Sequence, residues 1–117
     1  MSTIERAPAV AVCPIERLDV ERGAAALVDG HQVALFRLPD GTVHAVDHKD
    51  PATGANVLAR GLLGTTAGGE WYVASPLHKH RYSLVDGRCL NADGLSVAVH
   101  DVEILADLVH VIIASCS

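Results

Sequence analysis

The stretch from Asp47 to Leu90 decides the fold, because it contains two loops on either side of a short strand-forming segment. The first loop reads Asp50-Pro51-Ala52-Thr53-Gly54-Ala55-Asn56-Val57-Leu58-Ala59-Arg60-Gly61, and the second reads Ser75-Pro76-Leu77-His78-Lys79-His80-Arg81-Tyr82-Ser83-Leu84. Their prolines and glycines are typical of tight turns. We expect the two loops to face each other, carried by β-strands that come before and after them.

The loop spacing is that of a metal-cluster clamp, but most of the ligands are missing. A Rieske [2Fe–2S] site takes Cys-x-His from one loop and Cys-x-x-His from another, so that thiolates bind one iron and imidazoles bind the second. The corresponding positions here are Asp50, Ala52, Ser75 and His78. Alanine has no donor, serine is a poor substitute for a thiolate, and a carboxylate prefers harder ions. The sequence therefore predicts the loop frame without the cluster.

Length and composition predict one β-rich domain over residues 1–117, with residues 1–8 flexible. A chain of 117 residues buries roughly 65% of its unfolded surface and needs neither disulfides nor metal to fold. Half of the residues are apolar, but only one Trp, two Tyr and one Phe are aromatic. The core is therefore expected to be aliphatic, and this mixture favours strands.

Charge and cysteine content exclude several classes of protein. The formal net charge is −5, which argues against nucleic acid or an anionic membrane as partner. The N-terminal residues lack the apolar run of a signal peptide, and no segment has the length of a membrane span. Three scattered cysteines without a metal-binding spacing indicate reduced thiols. We expect a cytoplasmic protein.

Turn dipeptides such as Asp29-Gly30 and Asp86-Gly87 divide the chain into about ten short strands. Ile104 to Ile113 also fits an apolar helix, but its β-branched residues favour strand. We therefore expect an all-β fold, an antiparallel β-sandwich or partly open barrel with a smaller sub-sheet around the two loops at 47–90. The predicted strands are Ala9 to Cys13, Ala24 to Val28, Gln32 to Leu38, Thr42 to Val46, Trp71 to Ala74, Arg81 to Val85, Arg88 to Leu90, Ser96 to Leu105 and Leu108 to Ile113, with a helical turn at Ile15 to Leu18 and a flexible tip at Gly64 to Gly69.

Four segments together resemble the small subunit of the assimilatory NAD(P)H-dependent nitrite reductase, a family with the Rieske fold. The most specific is Asp-Pro-x-Thr-Gly-Ala-x-Val-Leu-x-Arg-Gly at 50–61. The others are Val33 to Arg37, Asp40 to Val46, and Ser75 to Leu90. The resemblance spans Val10 to Val111, and it implies a cluster-free Rieske-like fold. Ala52, His80 and Ala106-Asp107 depart from the family pattern.

The resemblance implies that this chain is a non-catalytic subunit. In that family nitrite is reduced to ammonium on a large subunit that holds FAD, sirohaem and an iron–sulfur cluster. Docking, stabilisation and modulation of that partner are the roles expected of the small subunit. This sequence has no Gly-x-Gly-x-x-Gly, no P-loop and no cysteine set for a cluster, so we expect no cofactor in the chain itself.

The polar residues of the loops allow two interpretations. His48, Asp50, His78 and His80 include the residue types of a mononuclear two-His-one-carboxylate iron site, which would make the chain an electron-transfer or metal-dependent protein on the same fold. The alternative is structural. Asp50 then accepts backbone N–H groups in its own loop, and His78 joins the loops by hydrogen bonds.

Basic residues near the loops predict a partner interface. Arg60, Lys79, Arg81 and Arg88 are cationic and could form a local basic patch that faces an acidic or cofactor-rich surface of the large subunit. The candidate interface residues are Arg60, Lys79, His80 and Arg81. The alternative is a solvated surface with scattered charges.

Overall fold

A computed structural model describes residues 9–77 and 79–113, so the expectation of flexibility at 1–8 and every prediction for His78 lie outside the described residues. Short 3₁₀ helices occupy Ile15–Arg17 and Leu58–Arg60. The described strands are β1 Val10–Pro14, β2 Ala24–Val28, β3 His31–Arg37, β4 Val43–Asp47, β5 Leu62–Thr65, β6 Trp71–Ala74, β7 Arg81–Ser83, β8 Val99–Leu105 and β9 Leu108–Ile112.

The strands form two antiparallel sheets. Six of them lie in the order β1-β9-β8-β4-β3-β2, and β1 and β2 at its two ends contact each other, so this sheet nearly closes into a barrel. The remaining three form a small sheet in the order β5-β6-β7. Closure of the larger sheet hides the edges at which strands would otherwise pair with other chains. The predicted all-β architecture with a smaller sub-sheet is confirmed.

Strand β3 is buried on both of its faces, because it separates two aliphatic cores. Val33 and Leu35 belong to a core inside the barrel, whereas Ala34 and Phe36 belong to a second core shared with the small sheet. Each fully buried aliphatic or aromatic side chain contributes about 1.5–3 kcal/mol relative to an exposed one. The second core therefore fixes the small sheet, and with it the two loops, against the outside of the barrel.

Four of the strand predictions were wrong in extent by two residues or more, and one of them is β7, which ends at Ser83 and not at Val85. Strand β5 continues through Gly64 to Thr65, where a flexible tip was expected. The segment Arg88 to Leu90 makes only isolated bridges, and β8 begins at Val99 instead of Ser96. A Cβ atom on Gly87 would lie only 1.9 Å from the carbonyl oxygen of Val97. The two segments pair antiparallel only around Arg88 and Ser96, where the Val97 N–H donates to the Gly87 carbonyl and the Cys89 N–H to the Leu95 carbonyl, and the pairing does not extend into a named strand.

The last hairpin settles the choice between helix and strand at the end of the described chain. Strands β8 and β9 pair from Leu105↔Leu108 outward, and Ala106 and Asp107 both have positive φ, 51° and 64°. Positive φ at both central residues is the conformation of a type I′ turn, which matches the twist of paired strands. The strand interpretation is confirmed. Within the described residues, no helix has the length and apolar character needed to span a membrane.

Candidate functional site

A buried carboxylate joins the two loops. Asp50 is fully buried; its Oδ2 accepts the Ser75 hydroxyl at 2.5 Å, and its Oδ1 accepts the Tyr82 hydroxyl and the Ala52 N–H, both at 2.9 Å. We call Asp50, Ser75, Tyr82 and the Ala52 N–H the Asp50 clamp. Asp50 and Ala52 lie in loop one, whereas Ser75 and Tyr82 lie in loop two, with Tyr82 on the strand β7 inside it. The prediction that Asp50 accepts a backbone N–H of its own loop is confirmed.

The backbone of loop one brings Asp50 to this position. The Asp50 N–H donates to the Ala55 carbonyl at 2.8 Å, and the Asp50 carbonyl accepts the Gly54 N–H at 2.7 Å. Gly54 has a φ of +78°, which glycine adopts without steric cost. The Nδ1 atom of the buried His48 accepts the Ala59 N–H at 3.1 Å, which holds the far end of the loop.

The electrostatics of the clamp keep Asp50 ionised. Burial raises the pKa of Asp50, but the hydrogen bonds from Ser75, Ala52 and Tyr82, together with nearby His80, outweigh it and bring the pKa below its usual value. Burial and the neighbouring carboxylate raise the pKa of Tyr82. Near neutral pH the site therefore consists of one carboxylate that accepts hydrogen bonds from protonated hydroxyl groups.

The predicted mononuclear metal set is not assembled by the described residues. His48 uses its Nδ1 for the Ala59 N–H, and burial and Arg60 lower its pKa. Asp50 is committed to its three donors. In the parts of the chain that the structure describes, no three His, Cys, Asp or Glu side chains lie together as metal ligands. His78, the remaining member of the set, is outside those parts.

The donor set also does not fit a [2Fe–2S] cluster. The two positions that correspond to thiolates, Asp50 and Ser75, are joined to each other by the 2.5 Å hydrogen bond. Ala52, at an imidazole position, is exposed and has only a methyl group to offer. Hard oxygen donors and a methyl group are the wrong chemistry for iron bridged by sulfide.

The predicted interface residues lie around two clefts. Lys79 and Arg81 are exposed and line a cleft of about 720 Å³. Arg60 is exposed and lines a smaller cleft of about 360 Å³, and Leu62 lines both. His80 is half-buried.

Arg88, a member of the predicted basic patch, is paired with carboxylates. Its guanidinium group contacts Asp86 at 2.5 Å and Glu70 at 3.2 Å, so two carboxylates offset its charge. Glu70 also accepts the Ser83 hydroxyl at 2.5 Å. Sequence reasoning missed this group, because the Glu70 contacts link residues 13 and 18 positions apart.

Asn91 is a further residue of the site that sequence reasoning did not select. Its Oδ1 accepts the Arg81 N–H at 3.0 Å, and its Nδ2 donates to the Lys79 carbonyl at 3.3 Å. Asn91 thus ties the backbone of loop two to the segment that follows β7. An asparagine in an irregular segment resembles any turn residue in sequence, so only the folded chain shows this contact.

Comparisons with known proteins agree with the fold. Residues 9–112 match the Rieske-like [2Fe–2S] domain family. The NADH nitrite reductase small subunit of Salmonella typhimurium is 39% identical over 80% of this chain and 86% of its own length. A Mycobacterium tuberculosis structure, provisionally assigned as an NADH-dependent nitrite reductase small subunit, has a TM-score of 0.89 and 38% identity, covering 96% of this chain and all of that one.

A further relative is part of a much longer protein. The NAD(P)H nitrite reductase large subunit of Klebsiella oxytoca is 46% identical over 79% of this chain. The matched segment is 9% of that protein's length. Sequences similar to this one therefore occur both as small subunits and within a large-subunit polypeptide.

Proposed function

The chain belongs to the Rieske-like [2Fe–2S] domain family and, within it, to the nitrite reductase small subunits, and on this premise we propose that it acts without a catalytic site of its own. In this proposal it works in the cytoplasm with the large subunit of an NAD(P)H-dependent nitrite reductase. Nitrite is reduced on the large subunit, which holds FAD, sirohaem and an iron–sulfur cluster. The small chain docks to that subunit and stabilises or modulates it.

The Asp50 clamp is the observation that carries this proposal. A cluster would supply both the bond between the loops and the redox chemistry. The clamp supplies only the bond: Asp50 accepts two buried hydroxyl groups and one backbone N–H. Hydrogen bonds to a charged acceptor contribute about 1.5–3 kcal/mol each. The loops can therefore keep their shape, and a surface built on them, with no metal.

The Klebsiella oxytoca relative supports the choice of partner. A segment 46% identical to this chain lies within a polypeptide named as the large subunit. The small-subunit sequence is thus part of the large-subunit polypeptide in one relative and a separate chain in others. This is expected if the small and large subunits work in contact with each other. A small subunit that binds its large subunit non-covalently preserves that arrangement.

Metal analysis and absorption spectroscopy test the non-catalytic assignment. The chain, purified anaerobically and aerobically, is expected to be folded, colourless and free of stoichiometric iron. Stoichiometric iron or a visible charge-transfer band would contradict the proposal and favour an electron-transfer or mononuclear-metal protein. A cluster-bearing Rieske ferredoxin, carried through the same purification, shows that the procedure retains a cluster.

Reconstitution tests the role in the complex. The isolated chain is expected to show no nitrite-dependent oxidation of NADH or NADPH. Added to the purified large subunit, it is expected to bind and to raise the melting temperature or the turnover of that subunit. The variant Asp50→Ala, in which the loops are loosened, should bind the large subunit more weakly and raise its melting temperature or turnover less. The control is Asp93→Ala, which alters an exposed carboxylate outside the clamp and should behave as the wild type does. Absence of any binding would refute the assignment.

A further inference from the structure

The small sheet presents one face to the second core and the other to solvent. In the register of β5, β6 and β7, Leu62 pairs with Ala74, and Ala74 pairs with Arg81. Neighbouring pairs alternate between faces. The alternate positions Val73 and Tyr82 are fully buried in the second core. Leu62, Ala74 and Arg81 therefore share the outer face.

This outer face forms the cleft of about 720 Å³. Its apolar lining includes Leu62 and Tyr72, and its cationic groups are Lys79 and Arg81. None of the described residues that line it is a carboxylate, although the chain has 14 Asp and Glu residues and a net charge of −5. The cleft is therefore a cationic and apolar site on an acidic protein, which is complementary to an acidic ligand with an apolar part.

The Arg81 guanidinium group of the cleft is held in place, and so is the backbone at Lys79 and Arg81. The Arg81 guanidinium carbon lies 5.2 Å from the centroid of the Tyr72 ring, within the range of a cation–π interaction. A Cβ atom on Gly64 would lie 2.5 Å from the Tyr72 hydroxyl, so the ring lies across this glycine. Asn91 fixes the backbone of Arg81 and Lys79. Such preorganisation lowers the entropy lost on binding.

Leu62 stands at the centre of a larger surface. Its side chain is 78% exposed, and it lines both the 720 Å³ cleft and the 360 Å³ cleft that contains Arg60 and Arg22 beside Glu21. Among the described strands β5 pairs only with β6, so its other edge is open beside Leu62. An exposed leucine between a cationic cleft, a second cleft that contains Arg60, and an unpaired strand edge is a surface suited to a protein segment, which can contact all three features together.

We propose that this surface, the Leu62 face, formed by Leu62, Tyr72, Arg81, Lys79 and Arg60, binds an acidic segment of the nitrite reductase large subunit. Carboxylates of that segment pair with the cations, and an apolar side chain packs on Leu62 and Tyr72. Tyrosine and arginine are enriched among the residues that dominate protein interfaces, and the exposed Leu62 adds apolar area beside them. The inference rests on the proposed function and adds the site and the chemistry of the partner surface.

Binding of the purified large subunit to the purified chain, followed by biolayer interferometry, tests the inference. Leu62→Asp and Arg81→Glu are each expected to weaken binding by about 30-fold or more, the effect of losing a hot-spot residue. Binding of the wild-type chain should also weaken as ionic strength rises. The matched controls are Leu27→Asp, since Leu27 is 72% exposed on the other sheet, and Arg17→Glu, an exposed arginine away from both clefts. Both controls are expected to bind as the wild type does.

The outcomes separate the inference from the function on which it rests. No binding by the wild-type chain would overturn both. Wild-type binding that Leu62→Asp and Arg81→Glu leave unchanged, with melting temperatures that show intact folding, would overturn the Leu62 face alone. Sedimentation that shows self-association of the wild type, lost in Leu62→Asp, would also overturn it, because the face would then bind a second copy of the chain.

Discussion

Replacing Asp50 with alanine tests whether hydrogen bonds to a buried carboxylate hold the two loops. The substitution removes the acceptor of the Ser75 and Tyr82 hydroxyl groups and of the Ala52 N–H. Ala52 is exposed, so its N–H can bond to water instead. Ser75 and Tyr82 are 1% and 0% exposed and have no such access. The cost therefore comes mainly from two buried hydroxyl donors.

The magnitude follows from those two donors. An unpaired buried donor costs about 1–3 kcal/mol, so two cost about 3 kcal/mol when each is given a value near the low end. In a domain of this size 1 kcal/mol corresponds to about 4 °C in melting temperature. Asp50→Ala is thus expected to lower the melting temperature by about 12 °C. Tyr82→Phe removes only one donor and leaves the carboxylate with two, so its effect should be smaller.

Thermal unfolding followed by circular dichroism measures these changes, and a double-mutant cycle identifies their source. The double variant Asp50→Ala/Tyr82→Phe lacks both partners of one hydrogen bond. Its loss in free energy of unfolding should therefore differ from the sum of the two single-variant losses by a coupling energy of about 1–2 kcal/mol. Asp93→Ala, on an exposed loop, is the control. A melting temperature for Asp50→Ala within about 2 °C of the control, or strictly additive costs, would refute the reasoning.

Two further predictions concern single residues. Gly87 has a φ of +81°, and an added Cβ would lie 1.9 Å from the Val97 carbonyl oxygen, so Gly87→Ala should lower the free energy of unfolding in denaturant by at least about 2 kcal/mol. The control Gly94→Ala has nearly the same φ, +80°, but open space around it, and should lower that free energy by less. Equal losses in the two variants would contradict the steric argument. The folded-state pKa of His48 lies below its ordinary 6.5, so its stabilising contribution is complete above pH 6.5 and is lost as the pH falls below that value. His48→Gln should flatten the stability of the protein against pH in this range, and an unchanged slope would count against the buried, neutral state of His48.

The sequence predicted the architecture well where local chemistry decides it. Strand β2 has the predicted bounds, Ala24 to Val28, because Gly23 and the Asp29-Gly30 turn mark both of its ends. The β-branched residues of β9 favoured strand over helix, and the pairing with β8 bears this out. The strand predicted at Arg88 to Leu90 is reduced to isolated bridges, and one of them depends on Ser96, a residue eight positions further along the chain.

The site was predicted less completely than the fold. The spacing of the two loops singled out Asp50 and Ser75 as related positions, but as degenerate cluster ligands and not as partners of each other. The 2.5 Å contact between them depends on how loop two folds back, as does the approach of Tyr82 across 32 residues. The local sequence does not predict which group each hydroxyl will bond to, because a serine or tyrosine hydroxyl can form hydrogen bonds with many kinds of polar group.

The two-sided burial of β3 has a consequence for how the barrel finds its alignment. In most half-buried strands a slip of one residue turns polar groups inward, and the resulting penalty selects the correct alignment. A slip of β3 would only exchange Val33 and Leu35 for Ala34 and Phe36, which are apolar as well. Polarity therefore contributes little to the alignment, and the tight turns at its ends, at Asp29-Gly30 and Gly41, where φ is positive, favour the correct one. Changes at those exposed turns can therefore trap misaligned chains during folding although no core contact is lost.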